Sequence, residues 1–257
     1  MQTHSRKDNQ GPQRLDPIKT EERYLKMSKK ISLIAVLTIL IVGSLFGAFS
    51  PALAANETVS GSSPTSAVPT FSALSGLSAD EVNALLYMRE EEKLAHDVYV
   101  YLYSKWGLST FQNIASSEQV HTQAIKNLID RYGLQDPASS QAGVFANAQL
   151  QTLYEALIAQ GSQSLVEALK VGAAIEEIDI LDLQGRLTLT QHADIQQVFN
   201  NLLWGSGNHL RAFVSRYEAL SGTTYQPQTL SPEAYQQIMG AGSNGAASRS
   251  RGYRGGR

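Results

Sequence analysis

Apolar residues recur every three to four positions through the middle of this 257-residue chain, in four long segments and one short one. The spacing predicts helices over about 79–104, 110–132, 148–160, 164–184 and 192–220. The segment ends carry matching chemistry. Ser78-Ala-Asp-Glu81 reads as a capping box for the first helix, and Ser109 with Gln112 as the cap of the second. Gly133 is placed to close the second helix, while Asn147 and Gly161 bound the short one. The connection from Gly133 to Ser162 holds Asp136-Pro137 and that short helix. A link of this length is what a bundle needs when its second and third long helices run parallel and must be joined end to end. The expected fold class is all-α: a four-helix bundle with a short extra helix in the connection between helices 2 and 3.

Helical phase puts an ionisable side chain in the middle of each long apolar face. Around Glu118, the residues Phe111, Ile114, Ile125, Ile129 and Tyr132 fall within about 40°, and His121 lies one turn on. Around Glu92 the same holds for Leu85, Met88, Tyr99 and Tyr103. Its neighbours Glu90 and Glu91 point about 160° and about 100° away, which predicts solvated charges. Glu176 shares its face with Leu165, Leu169, Gly172, Ile180 and Leu183; Glu177 sits about 100° off. Asp179, three residues after Glu176, can lean towards the same point, with Gly172 and Ala173 leaving room.

On the fourth helix Ile195, Val198, Leu202, His209 and Phe213 cluster, and Trp204-Gly-Ser-Gly207 interrupts the middle. Two mid-helix glycines cost roughly 1 kcal/mol each relative to Ala, so a local need for small residues or a kink is expected. His96, one turn after Glu92, can either join the cluster or pair with Glu92 or Asp97 near the surface. His192 reads as a surface residue at a helix start.

Glu118-x-x-His121 brings a carboxylate oxygen and an imidazole nitrogen from one turn, the spacing of a bundle-core metal site. Taken alone, the tetrad fits a locally satisfied Glu and His equally well. Four helices with such residues near their middles imply a polar centre that something must satisfy. The candidate metal ligands are Glu92, Glu118, His121, Glu176, His209 and Asp179. Carboxylates and imidazoles in a chain without cysteine suit iron or manganese, with zinc admissible.

Net charge is −2, which hides a division. Residues 1–54 hold eight Lys/Arg against four Asp/Glu, the last nine residues hold four Arg, and 55–248 hold nine basic against nineteen acidic residues. An acidic body suits cations and argues against nucleic acid as a partner, despite the Arg/Gly ending. Lys29-Lys30, an apolar run from Ile31 to Phe49 and Pro51-Ala-Leu-Ala54 follow the order of an export signal. The chain therefore divides into a polar leader or over-extended start (1–26), a signal peptide or membrane anchor (27–54), a linker (55–76), the bundle (77–222) and a disordered Gly/Ser/Arg-rich tail (223–257). The body is expected outside the cytoplasmic membrane, touching it only through an uncleaved N-terminal segment; a homodimer is left open.

These residues resemble the ferritin-like superfamily, in whose di-iron members helices one and three give a Glu and helices two and four give Glu-x-x-His. Glu92 followed seven residues later by Tyr99, and Glu118-x-x-His121, look like the first- and second-helix motifs of ferritins and rubrerythrins. Arg89-Glu-Glu-Glu-Lys-Leu-Ala, Ser117-Glu-Gln-x-His121 and Asn208-His-Leu-Arg-Ala-Phe213 are similar to the prokaryotic domain of unknown function 2202, over roughly Leu77 to Tyr217. The resemblance implies a ferritin-like bundle, with Tyr99 beside the ligands and rubrerythrin-like oxidoreductase or peroxidase chemistry in redox defence. It also exposes a departure. Ser206 stands where a di-iron protein has the Glu three residues before His209, so Asp179 supplies the missing carboxylate or the site holds fewer metals.

Overall fold

The computed structural model describes residues 76–249, so the leader, signal or anchor and linker expected before them, and the last residues of the tail, lie outside the described residues. The described residues form α1 (Ala79–Trp106), α2 (Ser109–Arg131), α3 (Ala148–Gly161), α4 (Leu165–Leu187), α5 (Ala193–Ser221) and α6 (Pro232–Arg249). α1 packs along α2 and α4 along α5, and lighter α1–α4 and α2–α5 contacts close a four-helix bundle. α3 lies in the long connection and packs against α1 and α4. None of the helices among the described residues is long and apolar enough to cross a membrane.

Most of the expected helix punctuation is present. The Ser78 hydroxyl accepts from Glu81 N–H and the Glu81 carboxylate accepts from Ser78 N–H, completing the capping box. Gly133 has φ +65°, the left-handed conformation that ends α2 without a Cβ penalty. Asn147 accepts from the N–H groups of Gln149 and Leu150. The second helix departs from expectation: it begins at Ser109, behind Leu108, with no side-chain cap.

Two dry layers sandwich the bundle centre. Leu85, Met88, Ile125, Ile129, Leu183, Ile195 and Phe199 fill one. Val98, Tyr99, Phe111, Leu169, Leu210 and Phe213 anchor the other. Between them sit buried Glu92, Glu118, Glu176, Asp179, Ser206 and His209.

Two carboxylates expected in solvent, Glu90 and Glu91, are buried instead, and so is Glu177, which phase set about 100° off the core face. Phase assigns the face towards the bundle axis, but extra layers cover the opposite faces. Glu90 accepts from the N–H groups of Ala146 and Asn147, which pins the long connection onto α1. Glu91 lies inside, where burial and the Asp182 and Asp179 charges push its carboxyl well up and Arg186 opposes. Glu177 is fully enclosed by the segment after α5, accepting from Gln228, Thr229 and Leu230 N–H and from the Tyr225 hydroxyl.

That same segment corrects the expectation of a disordered tail from Thr223. Tyr225, Leu230 and Tyr235 are core residues, and α6 packs on α5. Their apolar area and the Glu177 carboxylate give the chain both a dry and a polar reason to fold back. α5 also runs unbroken through Trp204-Gly-Ser-Gly207.

Candidate metal centre

Each long helix contributes near its middle, where the two apolar layers leave a gap. α1 brings Glu92; α2 brings Glu118 and His121; α4 brings Glu176 and Asp179; α5 brings Ser206 and His209. The donor atoms of Glu92, Glu118 and His121 lie within 4.8 Å of one another, and so do those of Glu118, Glu176 and His209. Glu118 thus belongs to both sets and stands at the centre of the cluster.

Both imidazoles turn Nδ1 inward. His121 Nδ1 is 2.7 Å from Glu118 Oε2 and 3.3 Å from Glu92 Oε2. His209 Nδ1 is 2.7 Å from Glu118 Oε1 and 3.6 Å from Glu176 Oε2. Yet His121 Nδ1, His209 Nδ1, Glu118 Oε1, Glu92 Oε1 and Asp179 Oδ1 make no directed hydrogen bond, although all are enclosed. Atoms this close that do not point at each other are arranged to point at something between them. Orphaned buried polar atoms of this number are rare without an ion or water to satisfy them.

The surrounding groups hold these donors in place. The Tyr99 hydroxyl donates to Glu176 Oε1 at 2.6 Å. Ser206 Oγ lies in hydrogen-bond contact with Asp179 Oδ2. His209 Nε2 meets Ser117 Oγ at 3.0 Å, so a proton on Nε2 leaves the Nδ1 lone pair for the cluster. Gly205 packs flat on the other ring: a Cβ there would come within 2.7 Å of His121 Cε1 and Nε2. The need for a small residue at Gly205 is therefore met by an imidazole. The room at Gly172 goes to Phe213 rather than to Asp179, since a Cβ would meet the Phe213 ring at 2.6 Å.

Electrostatics follow from four carboxyl groups packed into one dry space. Burial pushes the Glu118 carboxyl up, but the His121 and His209 imidazoles, each 2.7 Å away, bring it down to about 2. Burial pulls the His121 imidazole down, and Glu118 and Glu92 outweigh it, raising it to about 11. His209 rises to about 10 against its own burial, through Glu176 and Glu118. Burial holds Asp179 up at about 8 despite Ser206, helped by the Glu176 and Glu118 charges. Burial also raises Glu92, with Asp179 adding to it, and raises Glu176, with Glu118 adding to it. With both imidazoles charged and no other cation, the cluster is neutral when two of its four carboxyls are protonated.

Five of the six expected ligands fall into the two donor sets; Asp179 lies beside them, held by Ser206 and outside both sets, and Tyr99 touches Glu176. His96 stays outside, its Nδ1 on Asp97 Oδ1 at 3.0 Å, and His192 lies on Glu81 at 2.8 Å. Sequence reasoning missed Ser117, adjacent to a ligand with nothing in its spacing to mark it, and saw Gly205 as a small-residue anomaly without its partner, which sits on another helix.

Residues 81–242 match a family described as an uncharacterized protein domain, DUF2202. An uncharacterized protein of Methanocaldococcus jannaschii, MJ0754, is 47% identical over 164 residues, 63% of this chain and 88% of the relative. The crystal structure of that hypothetical protein superposes with a TM-score of 0.62, covering 64% of this chain and 94% of the other.

Proposed function

This chain belongs to the DUF2202 family, and on that premise we propose that it is an exported metal-binding protein whose bundle core holds iron or manganese for redox or peroxide defence. The observation that carries the reading is the set of enclosed, undirected donors around Glu118: two Nδ1 atoms and oxygens of Glu118 and Glu92, drawn from two donor sets that share Glu118, with Asp179 Oδ1 undirected beside them. A purely structural Glu–His core would close those contacts with aligned hydrogen bonds. The all-oxygen-and-nitrogen donor set suits iron and manganese, with zinc the non-redox occupant. Four carboxyl groups, ionised together, also balance the charge of two divalent cations.

In this reading Glu92 and His121 hold one side, Glu176 and His209 the other, Glu118 is shared, and Asp179 stands in for the carboxylate that Ser206 lacks. A bound redox metal supplies one-electron chemistry towards a small oxidant. The chain's own residues bind and orient. Tyr99 fixes the Glu176 carboxylate, Ser117 fixes His209, Ser206 fixes Asp179, and the two apolar layers exclude bulk water. The ferritin-like resemblance of the Glu-x-x-His motif agrees with this assignment. The basic, apolar and small-residue succession over Lys29 to Ala54 supports export.

Elemental analysis of the purified full chain tests the proposal. Wild type is expected to carry iron, manganese or zinc at one to about two ions per chain, and Glu118→Gln to lose most of it. A wild-type chain that is metal-free as isolated, and takes up none of these ions on titration, sinks the metalloprotein reading.

A further inference from the structure

The bundle has two lighter seams, α1–α4 and α2–α5. The α2–α5 seam is closed at the level of the centre: the His121 ring packs on Gly205, and the Ser117 hydroxyl covers His209 Nε2. The α1–α4 seam is lined with charge instead. Tyr87 and Glu91 lie one turn apart on α1, and Asp179, Asp182 and Arg186 follow on successive turns of one face of α4. The two faces meet, because the Arg186 guanidinium carbon stands 4.0 Å from the centre of the Tyr87 ring. Asp182 reaches both the Tyr87 hydroxyl and the Glu91 carboxyl.

Exposure falls along this line. Asp182 and Tyr87 are partly exposed, whereas Asp179 is 6% exposed and Glu91 4%. Both oxygens of Glu91 are enclosed, and neither has a hydrogen-bond partner. Arg186 rests on the Tyr87 ring and gives Glu91 no hydrogen bond. A buried acid without a partner destabilises a fold, so an enclosed pair of oxygens of this kind points to a ligand. Asp179 stands at the inner end and faces both ways. Its charge acts on Glu91 and on Glu92, and its Oδ1 also lacks a directed partner.

We propose that divalent cations enter the centre along the α1–α4 seam, taken first by Asp182, then by Glu91, and handed to Asp179. The route presupposes the metal-binding reading of the centre and adds a transit subsite to it. Two features select an ion in transit over a resident one. Glu91 and Asp182 against Arg186 leave one net negative charge when ionised, enough to draw a divalent cation but short of balancing it. The subsite also offers carboxylate oxygens without an imidazole, and Glu91 and Asp182 join no three-ligand set among the described residues, whereas the Glu-and-His sets inside do. An ion that meets one carboxylate after another exchanges its hydration water stepwise, rather than all at once at the mouth.

Uptake of cobalt(II), a coloured stand-in for iron(II) and manganese(II), tests the route on the chelator-stripped full chain. Stopped-flow visible absorbance gives the rate, and the ions bound per chain at the end give the plateau. Glu91→Gln and Asp182→Asn should each slow uptake by roughly tenfold or more and still reach the wild-type plateau. Asp182→Glu should keep the wild-type rate, as should Glu155→Gln, which removes an exposed charge on α3. Metal-free Glu91→Gln should melt no lower than wild type, which separates a lost route from a lost fold. Wild-type rates in Glu91→Gln and Asp182→Asn, with full plateaus, overturn the route and leave the centre standing. So does an equal slowing in Glu155→Gln. A lowered plateau in Glu91→Gln overturns it as well, since Glu91 is then a resident ligand. A wild type that takes up neither cobalt(II) nor iron, manganese or zinc removes the centre itself, and the route with it.

Discussion

Gly205 and Gly207 sit two residues apart in the middle of one helix, and they should respond oppositely to the same added methyl. Alanine in place of a mid-helix glycine gains roughly 0.5–1 kcal/mol when space allows. At Gly207 space allows: the nearest atoms to a new Cβ are Arg211 Nη1 and Ile238 Cγ2, both at 3.7 Å. Gly207→Ala should therefore raise stability slightly and leave metal content unchanged. At Gly205 the new Cβ meets the His121 ring at 2.7 Å, roughly 1 Å inside ordinary carbon contact. Overpacking of this kind costs about 1–3 kcal/mol, so the net change in the metal-free protein should be a loss of about 0–2 kcal/mol.

The larger effect should fall on the metal. Relief of the overlap requires His121 to move by several tenths of an ångström, while a metal–ligand distance tolerates about 0.2 Å. Loss of one imidazole from the Glu92–Glu118–His121 set should weaken that subsite by roughly 100-fold or more, beyond the effect of a misplaced supporting residue. Competition titration against a chelator, with thermal melting of both variants with and without metal, measures the two effects separately. If Gly205→Ala binds metal as wild type does, or if Gly207→Ala loses metal equally, the placement of His121 as a ligand is refuted.

Three further outcomes follow from the structure. In the metal-free protein the raised His121, His209 and Asp179 values, about 11, 10 and 8, all favour bound protons, so stability should fall as pH rises from about 6.5 to 8. The metal-loaded protein should gain over the same window, because ligation displaces those protons; melting curves at several pH values, with chelator or metal, check the opposed signs. Glu177→Gln should cost about 2–4 kcal/mol in denaturant unfolding with little change in metal content, because an acceptor of three backbone N–H groups is lost on a face of α4 turned towards the Gln228–Leu230 segment rather than towards the ligands. Ser206→Glu should not add metal: it sets a new carboxylate against Asp179, which already occupies that place, and stoichiometry at or below wild type with a lower melting temperature is expected.

The bundle and its centre were legible because both depend on one helix at a time. Glu92, Glu118, Glu176 and His209 are each central to an apolar face, and a 3.6-residue period is enough to place them there. Glu90, Glu91 and Glu177 were misjudged by the same logic, since phase says which side faces the bundle axis but not whether the other side meets water. Their covers come from far along the chain: Ala146 and Asn147 over Glu90, and the Tyr225–Leu230 segment over Glu177. The aromatic and leucine content of that segment, Tyr225, Leu230 and Tyr235, was the signal available against a disordered tail. Gly205 was visible as an anomaly whose cause lay on another helix.

The shortage of one carboxylate at Ser206 looks different once Asp179 is placed. Moving the acid from α5 to α4 keeps four carboxyl groups at the centre, but it changes what holds the fourth. A Glu at 206 would lie on the same turn as His209 and move with it; Asp179 lies on the same turn as Glu176 and is tied across to α5 only through the Ser206 hydroxyl. The two halves of the cluster thus differ in support. Glu176 is held by Tyr99 inside an aromatic layer with Phe111 and Phe213, whereas Asp179 keeps one oxygen without a directed partner. A rigid half and a looser half sharing Glu118 favour unequal affinities for two cations, the tighter one beside Glu176 and His209. Stepwise metal uptake, with the second ion removed first by chelator and its loss hastened by Ser206→Ala but not by Tyr99→Phe, is the behaviour this asymmetry requires.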